Sequence, residues 1–470
     1  MTMQLTHIDI QDRIIKYFDE HQKTLLKNDP PLVSQRRLDA FNAFKAQGFP
    51  TKKLESWKNT DIISVLQDDY KCSPEPASKK VNVETFFRCN IPELDTLMIN
   101  TLNGYYIYRN DPIKELKNGV IVGSLAEAKK RYPELVEKHF GVSLNYKPDG
   151  MVTLNTAIAN DGVFVYVPDN VSMKEAIQIV HINHNEENLL INIRNLVIVG
   201  KNSKVTLVHC DDSYTQQSAF SNSVTEVIVG ENADVEHYKL QNLNNSTTLI
   251  NQVFFIQKAN SKVHSSSITL NGGLIRNYTH VHFTEPGAEA NISGLYLVDK
   301  NQHVDNHVFI DHAAPHCTSK ELFKGLVDDA ATAVFNGHIM VRRNAQKTVA
   351  YQNNKNLLLT DKARAIAKPF LEIYADDVKC SHGATVGQLD MEALFYLRAR
   401  GIGLDTAKML LMYAFAAEVI NGISIEVLRN QIDDMVKKRL HGELDICETC
   451  VLHCKTKDRD ISFPIDLSKI

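Results

Sequence analysis

The chain has 470 residues, 43% of them hydrophobic and 23% charged, the balance of a globular protein able to bury a core. Lysine plus arginine is 52 and aspartate plus glutamate 56, a formal charge of -4, so no general field draws it to nucleic acid or to anionic lipid. No apolar run reaches the ~18 residues of a bilayer span, and the first twelve residues lack the basic start and apolar stretch of a secretory signal. The expectation is a cytoplasmic protein. Its 8 cysteines then read as thiols, buried fillers or metal ligands rather than a disulfide scaffold.

In chain order, residues 1–149 read as a largely helical N-terminal region. Ile10, Ile14 and Phe18, then Leu38, Phe41 and Phe44, recur at helical spacing around the breaker Asp29-Pro-Pro31. From about residue 150 the texture changes to short β-branched runs between small polar turns, and residues 150–388 read as an all-β core. The turns repeat: Gly200-Lys-Asn-Ser-Lys-Val205, Gly230-Glu-Asn-Ala-Asp-Val235, Lys258-Ala-Asn-Ser-Lys-Val263 and Glu285-Pro-Gly-Ala-Glu-Ala290, with a looser copy at Asp328-Asp-Ala-Ala-Thr-Ala333. Their third positions, Asn202, Asn232, Asn260 and Gly287, are 30, 28 and 27 residues apart by subtraction. Stacked coils of a β-helix need such a period, because each coil buries its inward face only on its neighbours. A sandwich of hairpins is the competing architecture, and the repeated turn favours the solenoid.

Residues 389–442 read as helical again. Asp390 is placed to cap a helix from 391 to 400 ended by Gly401, Asp405 to cap a second through Ile420, and a third runs from about 424 to 440. The middle helix carries an apolar excess from Met409 to Phe415, suited to a bundle or to a docking face. Residues 443–470 form a tail with Cys447, Cys450, His453 and Cys454, a density that fits a zinc or iron–sulfur site by spacing.

The sequence has no G-x-x-x-x-G-K-[ST] loop, no G-x-G-x-x-G after a strand, no H-E-x-x-H and no G-x-S-x-G, so neither nucleotide nor standard hydrolase chemistry announces itself. The richest stretch runs from Tyr374 to Asp390, where strands give way to helices. Cys380 and His382 lie two apart in it, so on an extended strand both project from one face. Thiol and imidazole suit iron, zinc or an iron–sulfur species. Two ligands make half a site, which implies a metal shared with another chain or held briefly. A buried cysteine beside a capping histidine is the plainer alternative. His303-Val-Asp-Asn-His307, with Asp311, His312, His316 and Cys317, is a second dense group, to be read as a hydrogen-bonded ladder or a metal site.

The run Ala367-Lys-Pro-Phe-Leu-Glu-Ile-Tyr-Ala-Asp-Asp-Val-Lys-Cys-Ser-His-Gly-Ala-Thr385, with Leu394-Phe-Tyr-Leu-Arg-Ala-Arg-Gly401, closely resembles the SufB/SufD family of iron–sulfur cluster assembly proteins. It has Cys-Ser-His-Gly-Ala-Thr where SufB has Glu-His-Glu-Ala-Thr. The resemblance takes in Lys324-Gly325, Val334-Phe-Asn-Gly337, Ala345-Gln346, Gln352 and Asn356-Leu-Leu-Leu-Thr360, and more weakly Glu55-Ser-Trp-Lys-Asn-Thr60. It implies a mainly β fold, a right-handed parallel β-helix flanked by N-terminal and C-terminal helical regions. It also implies a non-catalytic scaffold subunit that pairs with SufB and carries SufC, an ATPase of the ABC class, with residues 389–442 as the SufC-docking region. By the same resemblance His382 serves nascent cluster assembly at the SufB interface, with Cys380 at that interface and a transient iron–sulfur cluster shared with SufB. Whether reduced flavin joins the assembly, and whether the chain also pairs with itself, stay open at this point. Two rival readings share the fold: an adaptor that only positions SufC, and a carbohydrate-active β-helix enzyme using carboxylates such as Asp305, Asp311 or Asp376-Asp377.

Overall fold

The computed structural model describes residues 10–72, 94–108, 110–213, 215 and 217–442. From residue 163 onward the chain passes back and forth between two ten-stranded sheets. Across the first sheet lie, in order, β2 (Tyr105–Ile107), β1 (Thr96–Leu102), β6 (Ala176–Asn183), β8 (Lys204–Ser213), β10 (Asp234–Asn242), β12 (Lys262–Asn271), β14 (Glu289–Val298), β16 (Thr318–Val327), β18 (Val349–Leu358) and β20 (Lys379–Gly387). The second holds β3 (Ile113–Glu115), β4 (Ile121–Ser124), β5 (Val163–Val167), β7 (Leu189–Val199), β9 (Ala219–Val229), β11 (Thr248–Gln257), β13 (Leu274–Phe283), β15 (His303–His312), β17 (Thr332–Val341) and β19 (Arg364–Ile373). Every pairing among β5 to β20 is parallel. These sixteen strands, two to a coil, make a β-solenoid of eight coils, as the repeated turn predicted.

The interior explains why the chain accepts this shape. Val197 and Val199, Val227 and Val229, Val205, Val235, Val263, Val281 and Phe283 point between the sheets and are buried together. Each such side chain contributes ~1.5–3 kcal/mol relative to exposure. The corners set the period. Asn202, Asn232 and Asn260 have φ of 53°, 56° and 56° and Gly287 has 78°, the left-handed region that asparagine and glycine tolerate best. In that conformation each backbone N–H reaches the next coil: Asn202 donates to Glu231 O at 2.9 Å and Asn232 to Ala259 O at 2.9 Å. The asparagine side chains add a ladder, Asn232 Nδ2 donating to Asn202 Oδ1 at 3.0 Å. The looser copy at 328–333 lies at the opposite corner, where Ala330 N donates to Lys300 O at 2.9 Å.

The N-terminal region is only partly helical. Helices α1 (Ile10–Leu25) and α2 (Pro31–Gln47) fall on either side of Asp29-Pro30, and α3 (Leu125–Arg131) and α4 (Pro133–His139) follow later, but β1 to β4 intervene. The physical reason is the first coil, whose strand edges would be bare: β1–β2 and β3–β4 are antiparallel pairs that cover them. Nor do strands begin at 150. Residues Gly150–Ile158 form α5, with Asp149 accepting from Met151 N at 3.0 Å and Val152 N at 3.1 Å, an N-cap that overrides the β-branched composition.

After β20 come α6 (Met391–Ala399), α7 (Leu404–Ile420) and α8 (Glu426–Leu440). Asp390 caps α6 through Glu392 N and Ala393 N at 2.9 and 3.0 Å. Asp405 is not a cap: α7 starts after Gly403, and Asp405 sits inside its first turn, where its charge favours the helix dipole. Ala416, Val419, Ile420, Ile432 and Val436 of α7 and α8 pack on the outer face of the first sheet, against Val180, Val208, Leu240 and Leu295. No helix among the described residues is long and apolar enough to cross a membrane.

Candidate functional site at the open end of the solenoid

The two ends of the solenoid differ. At the last coil, β19 bonds β17 and β20 bonds β18, and among the described residues no strand takes their far edges. Cys380 is in register with Ala350, and His382 with Gln352. Ala350 and Gln352 are buried positions of β18, so Cys380 and His382 share the face of β20 that continues the interior wall. His382 is exposed and Cys380 half-buried. Burial pushes the Cys380 thiol up, only partly offset by the backbone N–H of Ala350; the thiol is therefore protonated at neutral pH in the free chain. On the second sheet's outer face Phe370 packs on His338, ring centroids 4.8 Å apart, and it and Tyr374 are 52% and 58% exposed.

Beneath His382 the polar layer deepens. Glu321 of β16 is in register with Gln352, as Gln352 is with His382, one coil apart each time. Gln352 Nε2 donates to Glu321 Oε2 at 2.9 Å. Both side chains are buried, and burial raises Glu321 to about 8, the bond from Gln352 opposing it. Gly337 of β17 faces them, and a Cβ there would strike Gln352 Nε2. Alongside, Tyr296 OH donates to Asn356 Oδ1 at 2.6 Å and accepts from Asn354 Nδ2 at 3.0 Å. Gly325 leaves room for the Tyr296 ring. Gln352, Gly325, Gly337 and Asn356, scattered in the sequence, thus form one interior layer under the Cys380–His382 strand. Glu321, Tyr296 and Asn354 complete it and escaped the sequence reading; the 31-residue offset between Glu321 and Gln352 is the signal that marks them as neighbours.

The histidine-rich group of β15 does something else. His303, Asp305 and His307 share one face and receive the Glu55–Thr60 segment. Thr60 Oγ1 donates to Asp305 Oδ2 at 2.6 Å and lies 3.0 Å from His303 Nε2, which must then be the donor to it. Arg276 ion-pairs with Asp305, donates to Ser56 O at 2.9 Å and lies 4.0 Å from the Trp57 ring centroid. Trp57 Nε1 donates to Asp149 Oδ2 at 3.0 Å. Asp311 accepts from His282 Nδ1 at 2.9 Å and from Arg342 Nε at 2.8 Å; His312 lies 2.9 Å from Ser319 Oγ. These carboxylates clamp structure and do not face each other across a cleft as a glycosidase pair must. Among the described residues, no three His, Cys, Asp or Glu side chains converge as a metal site would require. Cys447, Cys450, His453 and Cys454 lie outside the described residues.

Comparison with known proteins decides the family. The model of the SUF system FeS cluster assembly SufBD core domain matches residues 181–415, and that of the SufBD protein N-terminal region matches residues 8–179. The chain belongs to the SufBD family. Among SufBD relatives, the iron-sulfur cluster assembly protein SufD of Bacillus subtilis is 30% identical over 448 residues, 93% of this chain and 99% of that protein. SufD of Escherichia coli is 28% identical over 404 residues, 84% of this chain and 90% of that one. A SufBD family protein of Synechocystis is 29% identical over 93% of this chain and 97% of its own length. Both the solenoid end bearing His382 and the interior layer beneath it fall within the SufBD core match.

Proposed function

We propose that this chain is a non-catalytic scaffold subunit of the SUF iron–sulfur cluster assembly complex, working in the cytoplasm. It pairs with SufB through the open end of its solenoid and carries the SufC ATPase on its C-terminal helices, with the nascent cluster as cargo at the SufB interface. One observation carries the reading: the last coil ends in bare parallel strand edges, and the terminal strand presents Cys380 and His382. An unpaired edge is a template for another chain's strand, and exposed Phe370 and Tyr374 supply the aromatic anchors of an interface. A cluster to be handed on is suited by few, exchangeable ligands from two subunits rather than a closed four-cysteine cage. A neutral imidazole is such a ligand.

The test is His382→Ala in the SufB–SufC complex of this chain. Folding, SufB pairing and SufC binding should persist while iron and sulfide after anaerobic isolation fall to background; Cys380→Ala should have the milder effect. Full iron and sulfide on the His382→Ala complex would reduce the chain to an adaptor for SufC.

For SufC, the helices offer an unpartnered apolar face at a place the sequence did not indicate. Met409 to Tyr413 of α7 are half-buried in the bundle, whereas Met391, Phe395 and Tyr396 of α6 are 67%, 75% and 57% exposed. Phe395→Ser should weaken SufC binding by about tenfold or more, the ~1.4 kcal/mol or more of an aromatic anchor, with thermal stability unchanged. Equal affinity of the native and Phe395→Ser chains, measured by calorimetry, would move the SufC contact elsewhere.

A further inference from the structure

His382 alone does not explain the layer packed behind it. Gln352 Nε2 donates to Glu321 Oε2, the orientation of the carboxamide in which the acid's oxygen accepts. Gly337 leaves the space that this orientation occupies. The other end of the same amide, Gln352 Oε1, is buried and has no hydrogen-bond partner. Glu321 Oε1 is likewise buried without a partner; an orphaned buried acceptor costs about 1–3 kcal/mol, so Gln352 Oε1 calls for a donor. The two polar atoms of an amide diverge; with nitrogen held by the coil before, the oxygen is the atom left for the coil after. The residue in register there, on the same face, is His382, and neighbouring same-face side chains of adjacent strands are within reach of each other.

Resting on the reading of His382 as a cluster ligand, we propose that Gln352 is its positioning residue: Gln352 Oε1 accepts the N–H of the His382 imidazole and so fixes its tautomer and ring plane, leaving the lone pair of the other nitrogen at the open end. A ligating imidazole needs such a partner, because the hydrogen bond made by one ring nitrogen determines which nitrogen is free to bind metal. Glu321 serves the arrangement at one remove. As a protonated acid it holds the amide nitrogen without placing a negative charge behind the ligand, and Gly337 keeps the amide from being pushed aside.

The test uses the full-length chain labelled with 15N-histidine, the His382 signals being identified by their loss in His382→Ala. In the native chain the His382 ring should populate one neutral tautomer. In Gln352→Met, which keeps the length of the side chain and removes the acceptor, it should become the tautomer mixture of a free imidazole, with the circular dichroism and thermal unfolding of the native chain. Gln352→Glu, which restores an acceptor oxygen, should restore the single tautomer. On the SufB–SufC complex, Gln352→Met should lower iron retention ~10–100-fold, the usual cost of losing a ligand's outer partner, and Gln352→Glu should recover much of it. Identical tautomer populations in the native and Gln352→Met chains overturn the inference even if cluster is lost. Full cluster on His382→Ala instead overturns the reading of His382 as a ligand and leaves the tautomer result standing.

Discussion

Acidified from neutrality, the chain should unfold cooperatively between about pH 6 and 5, well above the range in which carboxylates titrate. The cause is a set of imidazoles enclosed as neutral groups. Burial is the leading cause in each case, taking His237, His280 and His312 down to about 3 and His181, His209 and His307 well below their ordinary range. In the unfolded chain each regains a value of about 6.5. Below that pH the unfolded state binds more protons than the folded one, so stability rises with pH and is lost as pH falls, by ~1.4 kcal/mol per unit for each histidine. Glu321 acts in the opposite direction: raised to about 8, it contributes stability below its unfolded value that disappears as pH climbs through 8. Burial raises Asp161 and Asp211 as well, yet the histidines outnumber these acids, so stability is lost on acidification, against the ~5–15 kcal/mol that holds a typical domain together. The emission of Trp57, the sole tryptophan and fully buried, together with far-ultraviolet circular dichroism, follows the transition. His280→Phe removes one of the six within a ring column that already stacks Phe254 and Phe309 at 5.5 and 5.1 Å, and should move the midpoint to lower pH. A chain still fully folded at pH 4.5 would show that these buried rings do not govern its acid stability.

Much of this architecture was written in short-range chemistry. The spacing of Asn202, Asn232, Asn260 and Gly287 marks coils because a left-handed corner residue is demanded once per coil, and Asp390 marks a helix start because its carboxylate meets two bare N–H groups. What stayed hidden depends on distances between coils. Asp328 to Ala333 resembles the other turns, yet it belongs to the second corner, where the same steric demand falls on Lys300 and Asp329. Asp305 and His303 look like metal ligands until Thr60, more than 240 residues earlier, is placed between them. Likewise nothing local ties Glu321 to His382. Only parallel registry, carried through Gln352, stacks them in one column. The pairing of Cys380 with His382 was legible because it needs only the two-residue repeat of one strand.

Arg276→Ala should be the most damaging single substitution in the interface between the N-terminal segment and the solenoid, lowering stability by about 3–5 kcal/mol. The side chains of Arg276 and Asp305 are each only 3% exposed, so truncation leaves a carboxylate buried with Thr60 as its remaining hydrogen-bond donor. It also removes the stacking on Trp57 and the bond to Ser56 O, the contacts that hold the Glu55–Thr60 segment on β13 and β15. The penalty comes mainly from the stranded charge, not from lost attraction, and that distinction is testable. Pairing Arg276→Met with Asp305→Leu removes both charges at similar volume and should recover most of the loss. Arg276→Met alone should behave like Arg276→Ala. Urea unfolding of the native chain, Arg276→Met, Asp305→Leu and the double variant gives the coupling, and proteolysis near residue 60 reports whether the segment lifts off first. Equal stability of the native and Arg276→Ala chains would mean that the clamp is held by Trp57 and Asp149 instead.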